Sequence, residues 1–330
     1  MVDADNLVKI YRSRSGDRTA VGGISFDIGE GEFFSFLGPN GAGKTTTIGM
    51  MVALLSPTSG HISIDGLDVS KYPDEVRQRI GIIFQEPSLD DRLTAWENLE
   101  FHGRLYGISG PERKKRAGFL LDVMGLADRK NDLVRTFSGG MKRRLEIVRG
   151  LVHAPRLLIL DEPTLGLDPH SRRNVWEYIH NVRKKVGMTV FLTTHYLEEA
   201  DGSDRVAIIN HGKIVALDSP DQLKKSLGPE VLIMQVSDKE ALREFLINQY
   251  PPLADSIREE PDGMLSFPMP LNLSESPWEL LRKLPFQIIQ ASIRRPNLDD
   301  VFIKYTGKDL TNSGVEMGSS GKFVGPFGDR

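Results

Sequence analysis

Residues 38–45 read Gly-Pro-Asn-Gly-Ala-Gly-Lys-Thr, and this run fits the pattern G-x-x-x-x-G-K-[ST]. It follows a short apolar run, Gly31 to Leu37 (GEFFSFL), and leads into a helix-forming segment from Thr45 (TTTIGMMVALL). A buried strand, a glycine loop that turns its N–H groups inward and a helix N-terminus together form an anion site, because free amides and the helix dipole both favour phosphate. Lys44 is expected to reach the β- and γ-phosphates of a nucleotide, and the Thr45 hydroxyl to bind Mg2+. Further apolar, β-branched runs at Ile80 to Phe84, Arg156 to Leu160, Thr189 to Thr193 and Arg205 to Ile209 alternate with helical patterns. The expected fold class is therefore α/β, with a mainly parallel sheet.

Leu157-Leu158-Ile159-Leu160-Asp161-Glu162 is an apolar strand that ends in two acids. That places both carboxylates at the carboxyl edge of the sheet, where open α/β sheets bind ligands. Taken alone, such a pair is more often a solvated loop or a helix cap. Beside a phosphate loop, Asp161 becomes the expected Mg2+ partner, and Glu162 is placed to orient and deprotonate a water for in-line attack on a γ-phosphate.

Phosphate loops serve several enzyme classes, so the class must come from another motif. Phe137-Ser138-Gly139-Gly140-Met141-Lys142-Arg143-Arg144 opens a helix (KRRLEIVRGLV) with a serine and two glycines, which makes a second anion site. One chain has no obvious use for two γ-phosphate sites. Here the sequence resembles the ATP-binding cassette family, whose signature loop reads Leu-Ser-Gly-Gly-Gln and caps the nucleotide held by the opposite subunit. Phe137 and Met141 depart from that consensus, while Ser138, Gly139 and Gly140 match it.

The resemblance covers about residues 5 to 225. It implies a phosphate-loop cassette with a helical insertion, binding ATP and Mg2+ through Gly38, Pro39, Asn40, Gly41, Ala42, Gly43, Lys44, Thr45 and Thr46. Tyr11 matches the aromatic that stacks on adenine, although an early-strand aromatic is also common in cores. Gln85, which closes the run GIIFQ, matches the glutamine that touches Mg2+ and the attacking water and couples the site to the insertion. Asp168, in Leu165-Gly166-Leu167-Asp168, matches the loop that crosses the dimer interface, and His195 the switch histidine on the γ-phosphate. The other six histidines read as surface or satisfied groups. The implied partners are a second cassette, expected to be an identical copy, and an integral membrane permease. The segment after Gln85 (EPSLDDRLTAWENL) is the expected docking surface for that permease.

Composition narrows the setting. Lysine and arginine number 42 against 45 acidic residues, a net charge of -3, which gives no basic field for nucleic acid. The Arg113 to Arg116 cluster reads as a solvated helix face. There are no cysteines, which excludes disulfides and thiolate-bound metals. The N-terminus lacks the pattern of a secretory signal, and no apolar run approaches the roughly 18 residues of a membrane span. Any membrane role is then borrowed from the permease, with the chain peripheral on the cytoplasmic face.

The expected domains are a cassette over 1–226, with its helical insertion at about 87–137, then an α+β accessory domain over 227–310 and a disordered tail over 311–330. The runs VLIMQVS, DKEALREFLINQY, SIREE, GMLSFPM, SPWELLRKL and FQIIQASIRR spell β-α-β-β-α-β, the ferredoxin-like order. Pro296-Asn297-Leu298-Asp299-Asp300-Val301-Phe302, with Tyr305-Thr306-Gly307, resembles the C-terminal end of daunorubicin-resistance-type exporter ATPases, although its core is also a plain N-capped amphipathic helix. The combined expectation is an ATPase that powers export of a hydrophobic drug, antibiotic or lipid. The alternatives are a nutrient importer's ATPase and a cassette protein acting on ribosomes or DNA.

Overall fold

Two hydrophobic patterns build two kinds of sheet in the first part of the chain. The computed structural model describes residues 1–14, 16–86, 88–228, 230–251, 257–260, 263–268 and 287–306. One unit contains Met1–Leu217, and Asp218–Tyr305 forms the other. In the first unit, β1 (Val2–Tyr11), β2 (Arg18–Ile28), β4 (Ser59–Ile64) and β5 (Leu67–Asp68) form an antiparallel sheet in the order β2-β1-β4-β5. Buried and exposed residues alternate along the second half of β2, as expected of a strand with one wet face.

The second sheet contains β3 (Phe33–Leu37), β6 (Ile80–Ile83), β7 (Leu157–Asp161), β8 (Thr189–Thr194), β9 (Arg205–Asn210) and β10 (Lys213–Asp218), in the order β10-β9-β3-β8-β7-β6. From β6 across to β9 every pairing is parallel, and every residue of β3, β7 and β8 is buried. Continuous burial is the signature of a parallel sheet covered on both faces. One face meets the antiparallel sheet through Phe26, Phe34, Phe36 and Phe191, with Phe26–Phe36 and Phe36–Phe191 ring centroids 5.0 Å apart.

The helices of this unit are α1 (Lys44–Met51), α2 (Pro73–Arg79), α3 (Ala95–Leu105), α4 (Gly110–Val123), α5 (Gly139–Leu151), α6 (Pro169–Val186) and α7 (Leu197–Asp201). Leu99 of α3, Leu121 of α4, Leu145 of α5 and Ile179 of α6 share one core with Leu158 and Val190 of the sheet's other face. Thr94 and Glu97 cap α3 reciprocally, which satisfies two donors of its first turn. The helix expected from Thr45 to Leu55 stops at Met51. Ala53 turns left-handed (φ 57°), and the N–H groups of Leu54 and Leu55 fold back onto Gly49 O.

Arg113 corrects the expectation of a solvated basic face. Lys114 and Lys115 are exposed, but Arg113 is buried and grips Glu100 of α3 through Nε at 2.8 Å and Nη2 at 2.5 Å. The Arg113 guanidinium is the main cause that brings the Glu100 carboxyl from its ordinary 4.5 down to about 2. A depressed carboxylate adds stability that is complete above its unfolded pKa and fades as pH falls through the folded one. Glu100→Gln is therefore expected to be less stable than the parent at pH 7, with the gap closing between pH 4.5 and about 2. Thermal melting across that range checks it, and a gap independent of pH would count against the pairing.

The second unit begins with α8 (Pro220–Lys225). Strands β11 (Val231–Val236), β12 (Arg258–Glu259), β13 (Leu265–Pro268) and β14 (Ile288–Arg294) form an antiparallel sheet in the order β12-β13-β11-β14. Leu242 and Leu246 of α9 (Lys239–Gln249) pack on Leu232, Met234 and Phe267. The expected helix at 276–284 and the expected disordered tail at 311–330 lie outside the described residues. In α10 (Leu298–Thr306), Leu298, Val301 and Phe302 are buried. Asn297 and Asp300 bond each other's N–H groups at 2.9 Å, so the Pro-Asn-Leu-Asp-Asp motif builds a helix cap here.

Candidate functional site

Parallel register brings four motifs to one edge. Leu37, the last residue of β3, lies opposite Thr194, the last of β8. Asp161, which ends β7, lies opposite Thr193. Ile83 of β6 faces Leu160. The segments that leave these carboxyl ends carry the phosphate loop, Gln85, Glu162 and His195.

The loop's shape is set by glycine. Gly43 precedes α1 with φ 111°, and a Cβ there would lie 2.6 Å from Ala20 O, so both backbone and space exclude a side chain. Lys44 then starts α1 with its side chain folded inward. Its Nζ donates to Gly38 O at 2.6 Å and lies 3.1 Å from Glu162 Oε1. Glu162 takes a left-handed φ of 45° just past β7, and its Oε2 lies 3.2 Å from His195 Nδ1. Asp161 accepts the Thr193 hydroxyl at 2.5 Å, and the Thr45 hydroxyl adjoins the same carboxylate.

Burial sets the electrostatics. It pushes the Asp161 carboxyl above the usual carboxylate range, against the Thr193 hydroxyl. It acts the same way on Glu162, but His195 and Lys44 outweigh it and hold that carboxyl below its ordinary value. It lowers the Lys44 ammonium, which Glu162 and Asp161 oppose. The cluster thus sets two carboxylates against one ammonium in a poorly solvated corner, a donor set that suits a divalent cation.

Tyr11, Pro39, Asn40, Gly41, Gly43, Lys44, Thr45, Thr46, Gln85 and Glu162, all singled out in the sequence, line one cavity of about 220 Å³. Gly38 and Ala42 are buried in the loop's base. Gln85 lies two residues beyond the end of β6, exposed at the cavity. A larger cavity of about 510 Å³ opens near Gly31, Phe119 and Thr189, by the amino ends of β3 and β8, and holds none of the sequence-predicted residues.

Ser138, Gly139, Gly140 and Asp168 do not line the cavity of about 220 Å³. Ser138 caps α5, accepting Met141 N–H at 3.3 Å, and with Gly139 it is exposed. Asp168 caps α6, its Oδ1 accepting the N–H groups of His170 and Ser171 at 3.0 Å. Leu167 and Ser171 stand close to Gly139 and Gly140, so the two helix starts share one surface.

Several site residues carried no readable sequence signal. Arg18 lines the cavity only because β1–β2 register sets it opposite Tyr11. Glu199 of α7 is buried, one oxygen accepting the Thr164 hydroxyl and the other the Thr194 hydroxyl at 2.6 Å, which links the loops that follow β7 and β8. Two of the histidines read as surface or satisfied groups are half-buried, and His153 Nε2 lies 3.0 Å from Ile80 O. His102 and His153 flank Tyr106 in a groove of about 260 Å³ that also touches Phe84, Ser88 and Arg149. Burial lowers both imidazoles to about 4, and His102 Nε2 and His153 Nδ1 lack partners. Phe101 and Leu105 of α3 are 59% and 68% exposed.

Residues 21–165 match the protein-family model described as ABC transporter. The chain is 39% identical to the daunorubicin/doxorubicin resistance ATP-binding protein DrrA of Streptomyces peucetius, over 96% of this chain and 95% of that one. It is 38% identical to the linearmycin resistance ATP-binding protein LnrL of Bacillus subtilis, over 94% of this chain and 99% of that one. Among solved structures, it is similar to a dimeric post-hydrolysis state of an ATP-binding cassette bound to ADP and Pi, at 29% identity and a TM-score of 0.60, over 66% of this chain and 98% of that one.

Proposed function

This chain belongs to the ATP-binding cassette transporter family, and from that premise we propose that it is the ATP-hydrolysing subunit of an exporter, peripheral on the cytoplasmic face of a membrane. The observation that carries the reading is the convergence of Lys44, Asp161, Glu162 and His195 at one sheet edge, beside a phosphate-sized loop. Loop N–H groups and Lys44 hold the β- and γ-phosphates, and Tyr11 offers its ring to the base. The Thr45 hydroxyl and Asp161, with Gln85 beside them, would hold Mg2+, which when bound neutralises phosphate charge. Glu162 accepts a proton from water as the water oxygen bonds to the γ-phosphorus. The bond to ADP breaks with its electrons leaving on the ADP oxygen, and His195, next to Glu162, steadies the attacking water.

Within one chain the site lacks its outer wall. Ser138, Gly139 and Gly140 stand at a helix N-terminus away from their own cavity, which supports a dimer in which each copy closes the other's nucleotide against a second γ-phosphate. Asp168 joins that interface. No helix among the described residues is long and apolar enough to cross a membrane, so transport requires a permease. The groove beside Phe84 and Tyr106, with the exposed Phe101 and Leu105, supports docking of a permease segment next to residues 86–99. Resistance proteins among the relatives support a hydrophobic drug, antibiotic or lipid as cargo. Neither the net charge nor the relatives favour an action on ribosomes or DNA.

The test is a pull-down of tagged Glu162→Gln chain from detergent-solubilised native membranes, with the bound proteins identified by mass spectrometry. A polytopic membrane protein in stoichiometric amount is expected. Ribosomal or DNA-repair proteins in its place would keep the ATPase and overturn the exporter.

A further inference from the structure

Helix α5 carries Arg143, Glu146 and Arg149 at intervals of three, which sets them along one face. Arg143 and Glu146 are 7% and 2% exposed, an unusual place for charge. Arg143 Nε donates to Pro163 O, and Nη1 donates to Phe84 O at 2.7 Å and to Glu146 Oε2 at 2.9 Å. Nη2 donates at 3.4 Å to both Asp161 O and Glu162 O. Glu146 Oε1 accepts Ser88 N–H at 2.7 Å, and Arg149 donates to Ser88 O at 2.7 Å and to its Oγ at 2.5 Å.

One helix face therefore grips the backbone on both sides of Gln85 and the turn that bears Glu162. That turn takes an uncommon backbone conformation, since Glu162 has a left-handed φ of 45°. The carbonyls of Asp161, Glu162 and Pro163 that frame this conformation are the ones the guanidinium takes. A planar fork with several donors matches such a set, whereas a single ammonium does not.

We propose that Arg143, seated by Glu146, is a positioning residue for ATP hydrolysis: it holds the Glu162 turn so that the carboxylate stays between Lys44 and His195, and ties that turn to the segment around Gln85. The inference rests on the hydrolytic reading above. Arg143 is not among the residues that line the cavity, and it acts through the backbone carbonyls it binds. A displacement at Phe84 or Ser88 reaches Glu162 through α5, without passing through the cavity.

The test is steady-state ATP hydrolysis by the full-length chain carrying Arg143→Lys, with folding checked by circular dichroism. The aim of a carboxylate governs the chemical step, so kcat is expected to fall by about tenfold or more while KM for ATP changes by less than about threefold. Glu146→Gln keeps an acceptor for Ser88 and drops the charged bond to Arg143, and should show the same split to a smaller degree. If Arg143→Lys does not fold, Glu146→Gln decides by the same criterion. A folded variant with parental kcat, or with its loss confined to KM, overturns the inference while an active parent leaves the ATPase standing. A parent chain without ATPase activity overturns both.

Discussion

Glu162→Gln is expected to cut ATP turnover by roughly a hundredfold or more, because a positioned general base contributes about 10²–10⁴ to the rate of proton transfer. Binding should survive and tighten. The amide keeps the shape of the carboxylate but removes one of the two negative charges beside Lys44, where the phosphates of ATP are to sit. With hydrolysis blocked and the pocket intact, ATP-bound dimers should accumulate. Size-exclusion chromatography with and without ATP reads the dimer, and phosphate release reads the turnover. A variant that hydrolyses ATP at the parental rate would remove Glu162 from the role of base. One that is inactive yet stays monomeric with ATP would sink the picture of nucleotide as the dimer's glue.

Lys44→Ala should fail at the step before. A charge-assisted hydrogen bond is worth about 1.5–3 kcal/mol, so its loss weakens ATP binding by about 10- to 100-fold. The deletion also leaves Asp161 and Glu162 facing each other without the ammonium that lies 3.1 Å from Glu162. Breaking a buried pair by removing one partner is costlier than the pair's own worth, because the remaining charge stays desolvated. The substitution is therefore expected to lower the melting temperature of the nucleotide-free chain as well. Titration with a fluorescent ATP analogue separates the two variants: Lys44→Ala loses affinity, and Glu162→Gln retains it. Equal affinity for parent and Lys44→Ala would mean that the lysine serves only the carboxylates.

Much of this site was readable because its parts are local. The phosphate loop is one short stretch of strand end, glycine turn and helix start, and Asp161-Glu162 needs only an apolar strand before it. Their convergence also follows from sequence once the strands are parallel, since parallel strands deliver their carboxyl ends to one edge. The reading failed where a charge's partner lay far along the chain. Arg113 looked like part of a solvated run, and only the packing of α4 on α3 brings Glu100 to it. His102 and His153 read as surface or satisfied groups, and the packing of both rings against Tyr106 leaves them half-buried.

What the sequence determined by itself is the candidate chemistry: a loop that fits the phosphate-binding pattern, two acids at a strand end, a histidine after another strand, and a serine-glycine helix start. What only the tertiary structure decided is which long side chains hold that chemistry in shape. Tyr11 lies opposite Arg18 through strand register, Glu199 joins Thr164 to Thr194, and Arg143 reaches the carbonyls of Asp161, Glu162 and Pro163. The physical reason is that backbone turns and strand ends are specified by neighbours in sequence, whereas the burial of a charge depends on whether a distant segment supplies enough hydrogen bonds to replace water.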